Sequence, residues 1–208
     1  MIEPSQLALF TVAAAAIVAA PGPDMLLVIG RALGQGRWAG MLAGFGCAGG
    51  VLATTVMVAC GLAALLQASL VAFTVMKYAG AAYLIWLALQ TLRERSLFTP
   101  QPAKPASARQ IFVISLLGNL INPKVALFMF AFLPQFVDHR SDVPVQIMLL
   151  GGIYALLTIV GFTLLSTGAA SLARVIERRP KVIDGLNIGA ALVFFLSGLR
   201  IATFEQPR

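Results

Sequence analysis

The stretch Ala19-Ala20-Pro21-Gly22-Pro23-Asp24-Met25 sets two prolines, a glycine and an acid inside an apolar run reaching from Leu7 to Gly30. Proline has no amide hydrogen and its ring clashes with the preceding turn. A helix entering this stretch therefore breaks or kinks and leaves backbone carbonyls without partners. The run is long enough to cross a bilayer, and hydrocarbon offers a bare carbonyl nothing. Broken backbone at that depth persists where it is buried in protein or lines a wet cavity, so the stretch reads as a candidate site. Asp24 sharpens the reading, because an acid inside an apolar span is costly and usually functional. The plain alternative is a proline kink whose acid snorkels to one face.

The rest of the chain carries the same signal. Its 208 residues are 59% hydrophobic and 11% charged, with a mean hydropathy of +0.90, outside the usual range of soluble domains. Residues 4–23 hold no charge, 38–92 only Lys77, 110–137 only Lys124, and 143–173 none. These runs are continuously apolar, without the alternation of a membrane β-barrel. The expectation is an all-α polytopic membrane protein with six transmembrane helices near Leu7–Gly30, Ala39–Leu66, Leu70–Leu92, Ile111–Phe136, Val143–Ala173 and Leu186–Phe204. A Pro-, Ser- and Lys/Arg-rich linker, 93–108, separates a first three-helix unit, 1–92, from a second, 109–208.

The first span is expected to be retained rather than cleaved. A secretory signal has a positive segment before its apolar core, whereas this chain begins Met1-Ile2-Glu3. Cys47 and Cys60, thirteen positions apart on one helix, lie about 20 Å from each other; they do not bridge and read as small core thiols. His139 stands alone in a polar loop, and no cluster has metal-ligand spacing, so neither metal nor cofactor is expected.

The formal charge of +7 lies in short loops beside apolar spans, which signals topology rather than nucleic acid. Arg31, Arg37, Arg93, Arg95, Lys104, Arg109, Arg174, Arg178, Arg179 and Lys181 all fall in the first, third and fifth connections. The second, near Gln67-Ala68-Ser69, has no charge, and the fourth carries Asp138, His139, Arg140 and Asp142. By the positive-inside rule the odd connections are cytoplasmic and both termini are not.

The halves echo each other in order. Pro21-Gly22 matches Pro123-Lys124, and Gly49-Gly50-Val51 matches Gly151-Gly152-Ile153, both at an offset of 102; Gly80-Ala81-Ala82 matches Gly189-Ala190-Ala191 at 109. Three spans per half give the halves opposite orientation, two inverted repeats with broken helices 1 and 4. This is a recurring plan of secondary transporters.

In the fourth span Asn122-Pro123-Lys124 interrupts the apolar run as the prolines interrupt the first. Folding the halves about a pseudo-twofold brings Asp24 and Lys124 to similar depth, where each lowers the other's cost. A poised pair of this kind exchanges its internal partner for a ligand's ammonium and carboxylate, or for a proton; the alternative is a purely structural ion pair. The second span carries Gly40, Gly44, Gly46, Gly49 and Gly50, with small-xxx-small spacing at 40/44 and 46/50. Close helix packing is the first reading, with room for a ligand or for sliding helices as the functional extra. Tyr83, Trp86 and Tyr154 read as packing or interface anchors, and Gly34-Gln35-Gly36 as a tight turn.

Pro21-Gly22-Pro23-Asp24, with Gly34-Gln35-Gly36-Arg37 and the glycines up to Gly50, resembles the amino-terminal signature of the LysE/RhtB family of amino-acid exporters. Asn122-Pro123-Lys124, followed by Phe132-Leu133-Pro134-Gln135-Phe136, resembles that family's second-half signature. The resemblance spans nearly the whole chain. It implies efflux of amino acids or close derivatives across the bacterial inner membrane in exchange for protons, while the two breaks and the glycine series themselves make Pro21, Gly22, Pro23, Asp24, Gly46, Asn122, Pro123 and Lys124 the candidate substrate-binding or coupling residues. No second intramembrane acid awaits a basic side chain, which favours neutral substrates. A homo-oligomer is left open. The rival from another class is an intramembrane enzyme acting on a hydrophobic or lipid-linked substrate.

Overall fold

The computed structural model describes residues 2–68, 70–93, 102–138, 141–178 and 181–203. Ser69, Arg95, His139, Arg140 and Arg179, used above in the argument from loop charge, lie outside the described residues. All described elements are helical: α1 (Pro4–Ala19), α2 (Pro23–Gln35), α3 (Arg37–Ala68), α4 (Leu70–Arg93), α5 (Ala108–Leu120), α6 (Pro123–Leu127), α7 (Val143–Arg178) and α8 (Lys181–Thr203). Beyond α6 the chain continues as a π-helical turn, Phe128–Phe132, and a 3-10 turn, Leu133–Phe136.

Both expected interruptions are present. The chain bends by 54° between α1 and α2 and by 50° between α5 and the segment Pro123–Phe136. Pro23 and Pro123 each stand at the start of the second helix of their pair, where a missing amide hydrogen matters least. Asn122 caps α6 by accepting the Lys124 backbone N–H at 3.0 Å. Ser107 and Gln110 form a reciprocal capping box at the start of α5. The expected turn at Gly34-Gln35-Gly36 closes α2, with Gly36 at φ 88°, the left-handed region where a side chain would be strained.

Arg37–Gly61 and Val143–Ser171 are each long and apolar enough to cross a bilayer, and so is each bent pair taken as one unit, giving two to four crossings among the described residues. Large apolar residues such as Val56, Leu149, Leu156, Leu164 and Leu192 face outward, while Asp24, Thr54, Thr55, Ser115, Asn119 and Thr158 are buried. The interior is largely apolar as well, so apolar side chains line both the inside and the outside, which suits a lipid surround. This is a helical membrane protein.

The long helices α3 and α7 pack on each other at the centre, α5 and α2 lie on α3, α1 and α2 on α7, and α4 pairs with α8. The two glycine pairs of α3 face different partners. A Cβ on Gly44 would lie 2.9 Å from Phe162 of α7, and one on Gly46 would lie 2.7 Å from Ser115 of α5. The 40/44 pair thus admits α7, with Gly40 also against Ala32 of α2, and the 46/50 pair admits α5. Phe10 of α1 packs against Phe128, Phe132 and Phe136 with ring centroids 5.5–6.4 Å apart, clamping α1 to the turns after α6. Cys47 is buried as expected, but Cys60 is exposed: the periodicity of α3 turns position 60 outward, so it is not a core thiol.

Candidate functional site

The two breaks meet. Lys124, in the first turn of α6, reaches across to the end of α1, and its Nζ donates to the carbonyls of Ile17 at 3.1 Å and Ala20 at 3.0 Å. The Pro21-Gly22-Pro23 interruption is what frees such carbonyls at a helix C-terminus, and an ammonium there satisfies them and the helix dipole together. Gly22 leaves the space, since a Cβ on it would lie 2.9 Å from Lys124 Nζ.

Asp24 stands in the first turn of α2 and is 7% exposed. Its Oδ2 accepts a 2.8 Å hydrogen bond from Asn119 Nδ2, at the C-terminal end of α5. The second half therefore supplies two groups to the break of the first: Lys124 to α1 and Asn119 to α2. Asn119 Oδ1 and Asn122 Nδ2 are buried without hydrogen-bond partners among the described residues, and buried amide atoms left bare are expensive unless something comes to meet them.

Between the breaks lies a cavity of about 10 Å³, lined by Asp24, Asn119, Lys124, Tyr154 and Thr158 together with Ile17, Val18, Ala20, Met25, Val125 and Phe162. It has room for about one water molecule, far less than an organic ligand needs. The arrangement is a closed one. A carboxylate and an ammonium line one small chamber together with the polar groups of Asn119, Tyr154 and Thr158, and apolar side chains form the rest of its wall.

Of the residues expected from sequence, Asp24 and Lys124 line the chamber and Gly22 touches Lys124. Pro21 is half-buried beside them, Pro23 is exposed, and Asn122 is a buried cap. The Pro123 carbonyl accepts a 3.4 Å hydrogen bond from Tyr83. Gly46 sits on the contact with α5 and is not among the cavity-lining residues. Tyr154, expected only as an anchor, lines the chamber and packs edge-on against Phe128 at 5.3 Å. Asn119 and Thr158 were not expected. Asn119 had a signal, as a lone amide in the apolar run 111–121 just before the second break; Thr158 had none.

Gly50 fixes the position of Asn119. A Cβ there would lie 2.6 Å from Asn119 Oδ1 and 2.8 Å from the Leu116 carbonyl, which is backbone. Gly50→Ala must part α3 from α5 or push Asn119 aside, at about 1–3 kcal/mol. Gly118, with nothing within 4 Å of its would-be Cβ, is the counterpart: Gly118→Ala should gain about 0.5–1 kcal/mol from helix propensity. Melting of the two purified variants should move in opposite directions.

These features define a helical membrane protein with a closed polar chamber between two broken helices. Residues 15–204 match the family of LysE type translocators, and the chain belongs to that family. It is 36% identical to a homoserine/homoserine lactone efflux protein of Salmonella typhi over 152 residues, 71% of this chain and 72% of the Salmonella protein. It is also 30% identical to a leucine efflux protein of Klebsiella pneumoniae subsp. pneumoniae over 202 residues, 95% of this chain and 94% of that protein. No solved structure matches it significantly.

Proposed function

We propose that this protein exports neutral amino acids or close derivatives across the bacterial inner membrane in exchange for protons. The observation that carries the reading is the shared chamber of Asp24 and Lys124 between the two breaks. The substrate ammonium meets Asp24, its carboxylate meets Lys124 and the amides freed at the breaks, and its side chain meets the apolar walls. Asp24 holds either a proton or the ammonium, and this mutual exclusion makes the traffic an exchange. The chamber is closed here, so each half-cycle opens it to one side.

In this reading the chain has six spans in two inverted repeats. Its support is the order of elements, a broken pair, a long helix and a shorter one, occurring twice. Cross-packing supports it too: the first broken pair leans on α7 and α8, while α5 and the turns after α6 lean on α3 and α4. Arg37, stacked on exposed Trp38 with its guanidinium 5.4 Å from the ring centroid, suits an interfacial belt on the cytoplasmic side. A reporter fused after Arg208 should register outside the cytoplasm; cytoplasmic labelling would remove the inverted repeat.

The function is tested with proteoliposomes preloaded with labelled leucine, homoserine or lysine, with and without an imposed proton gradient. Leucine or homoserine should leave faster with the gradient, and lysine should not. Equal loss of all three with or without the gradient would end the reading.

A further inference from the structure

Asp24, Arg31 and Gln35 lie at positions i, i+7 and i+11 of α2, which places them on one helix face, with Arg31 about 10 Å along the axis from Asp24. Arg31 is 8% exposed. Over this face runs the end of the linker between the halves, residues 102–107, as a strap. The Ala103 N–H donates to the Gly30 carbonyl at 2.8 Å. Arg31 Nη1 donates to the Lys104 carbonyl at 2.8 Å and to Gln35 Oε1 at 3.1 Å. Gln35 both donates to the Ala106 carbonyl and accepts from its N–H, at 2.9 and 3.0 Å. Gly34 allows the approach, since a Cβ there would overlap the Ala103 backbone.

This is an odd setting for a guanidinium. Its hydrogen-bond acceptors are neutral oxygens, and no carboxylate among the described residues pairs with it. Nε is buried with no hydrogen-bond partner among the described residues. A buried cation is stabilised by an anion far better than by carbonyls, and the planar fork of donors matches a carboxylate bidentately.

We infer that Arg31 is a staging site for the carboxylate of the amino acid on its way to the chamber, with the Lys104 carbonyl and Gln35 Oε1 as its resting occupants. An arriving carboxylate takes the guanidinium, releases the Lys104 carbonyl and lifts the strap off α2. The ligand class rests on the export reading; the anion site and the strap do not.

The test is the alkylation rate of an Ala103→Cys thiol by a maleimide, in purified protein carrying Cys47→Ala and Cys60→Ala. Leucine and homoserine should each accelerate labelling by about tenfold, within the ordinary range of coupling between sites, while leucinamide and inorganic phosphate should not. Arg31→Gln should abolish the acceleration. The contrast between leucine and leucinamide in the Arg31 protein decides the matter even where that variant fails to fold. No acceleration by either amino acid, or equal acceleration by phosphate or leucinamide, would overturn the site. Acceleration without gradient-driven efflux would sink the export reading alone; efflux without acceleration would sink Arg31 alone.

Discussion

Asp24→Asn should reduce gradient-driven efflux to the level of protein-free vesicles while leaving the protein folded. Asparagine keeps the shape of the side chain and an oxygen that accepts from Asn119 Nδ2, which lies 2.8 Å from Asp24 Oδ2. The loss on folding is then the difference between a charge-assisted and a neutral hydrogen bond, about 1 kcal/mol, offset by removal of a buried charge. What disappears is the carboxylate, the group proposed to hold the proton or the ammonium. Melting temperature and efflux measured on one preparation separate the two effects. Normal melting with normal gradient-dependent efflux would take Asp24 out of the mechanism and leave it a structural acid.

Lys124→Met should do the reverse, damaging the fold first. The lysine Nζ satisfies the carbonyls of both Ile17 and Ala20 at the end of α1, and methionine offers neither a donor. Hydrogen bonds to a charged group contribute about 1.5–3 kcal/mol each, and a bare carbonyl in a membrane interior finds no water to replace them. The expected loss is roughly 3–5 kcal/mol, a fall in melting temperature on the order of 10 °C. Substrate binding should weaken in the fraction that survives. An unchanged melting temperature would mean that the cap on α1 is incidental and that Lys124 serves the substrate alone.

The breaks were legible in the sequence because proline acts locally: inside an apolar run, Pro21, Pro23 and Pro123 keep the preceding helix from continuing, and Pro23 and Pro123 then start the next one. The apolar runs and the charged residues between them were legible for the same reason, since lipid reads composition and length. The task of Lys124 was only half legible. Its place at the second break was plain from Asn122-Pro123-Lys124, but its hold on Ile17 and Ala20 depends on how α6 crosses α1, which no local pattern encodes. Gly46 and Gly50 show the same limit: their spacing announced a close helix contact, and only the rotation of α3 decides that Gly50 faces Asn119. The clasp of Arg31 and Gln35 on the strap joins positions more than seventy residues apart through backbone atoms, and backbone atoms carry no sequence signal.

The central claim is that the amino acid sits between the two breaks, with its ammonium on Asp24 and its carboxylate on Lys124. A structure determined with bound leucine tests it most directly. The account expects the chamber, about 10 Å³ when closed, to open, with ligand density bridging Asp24 and Lys124 and the side chain against Val18, Met25 and Phe162. Leucine bound elsewhere, with the Asp24–Asn119 hydrogen bond and the closed chamber unchanged, would contradict it.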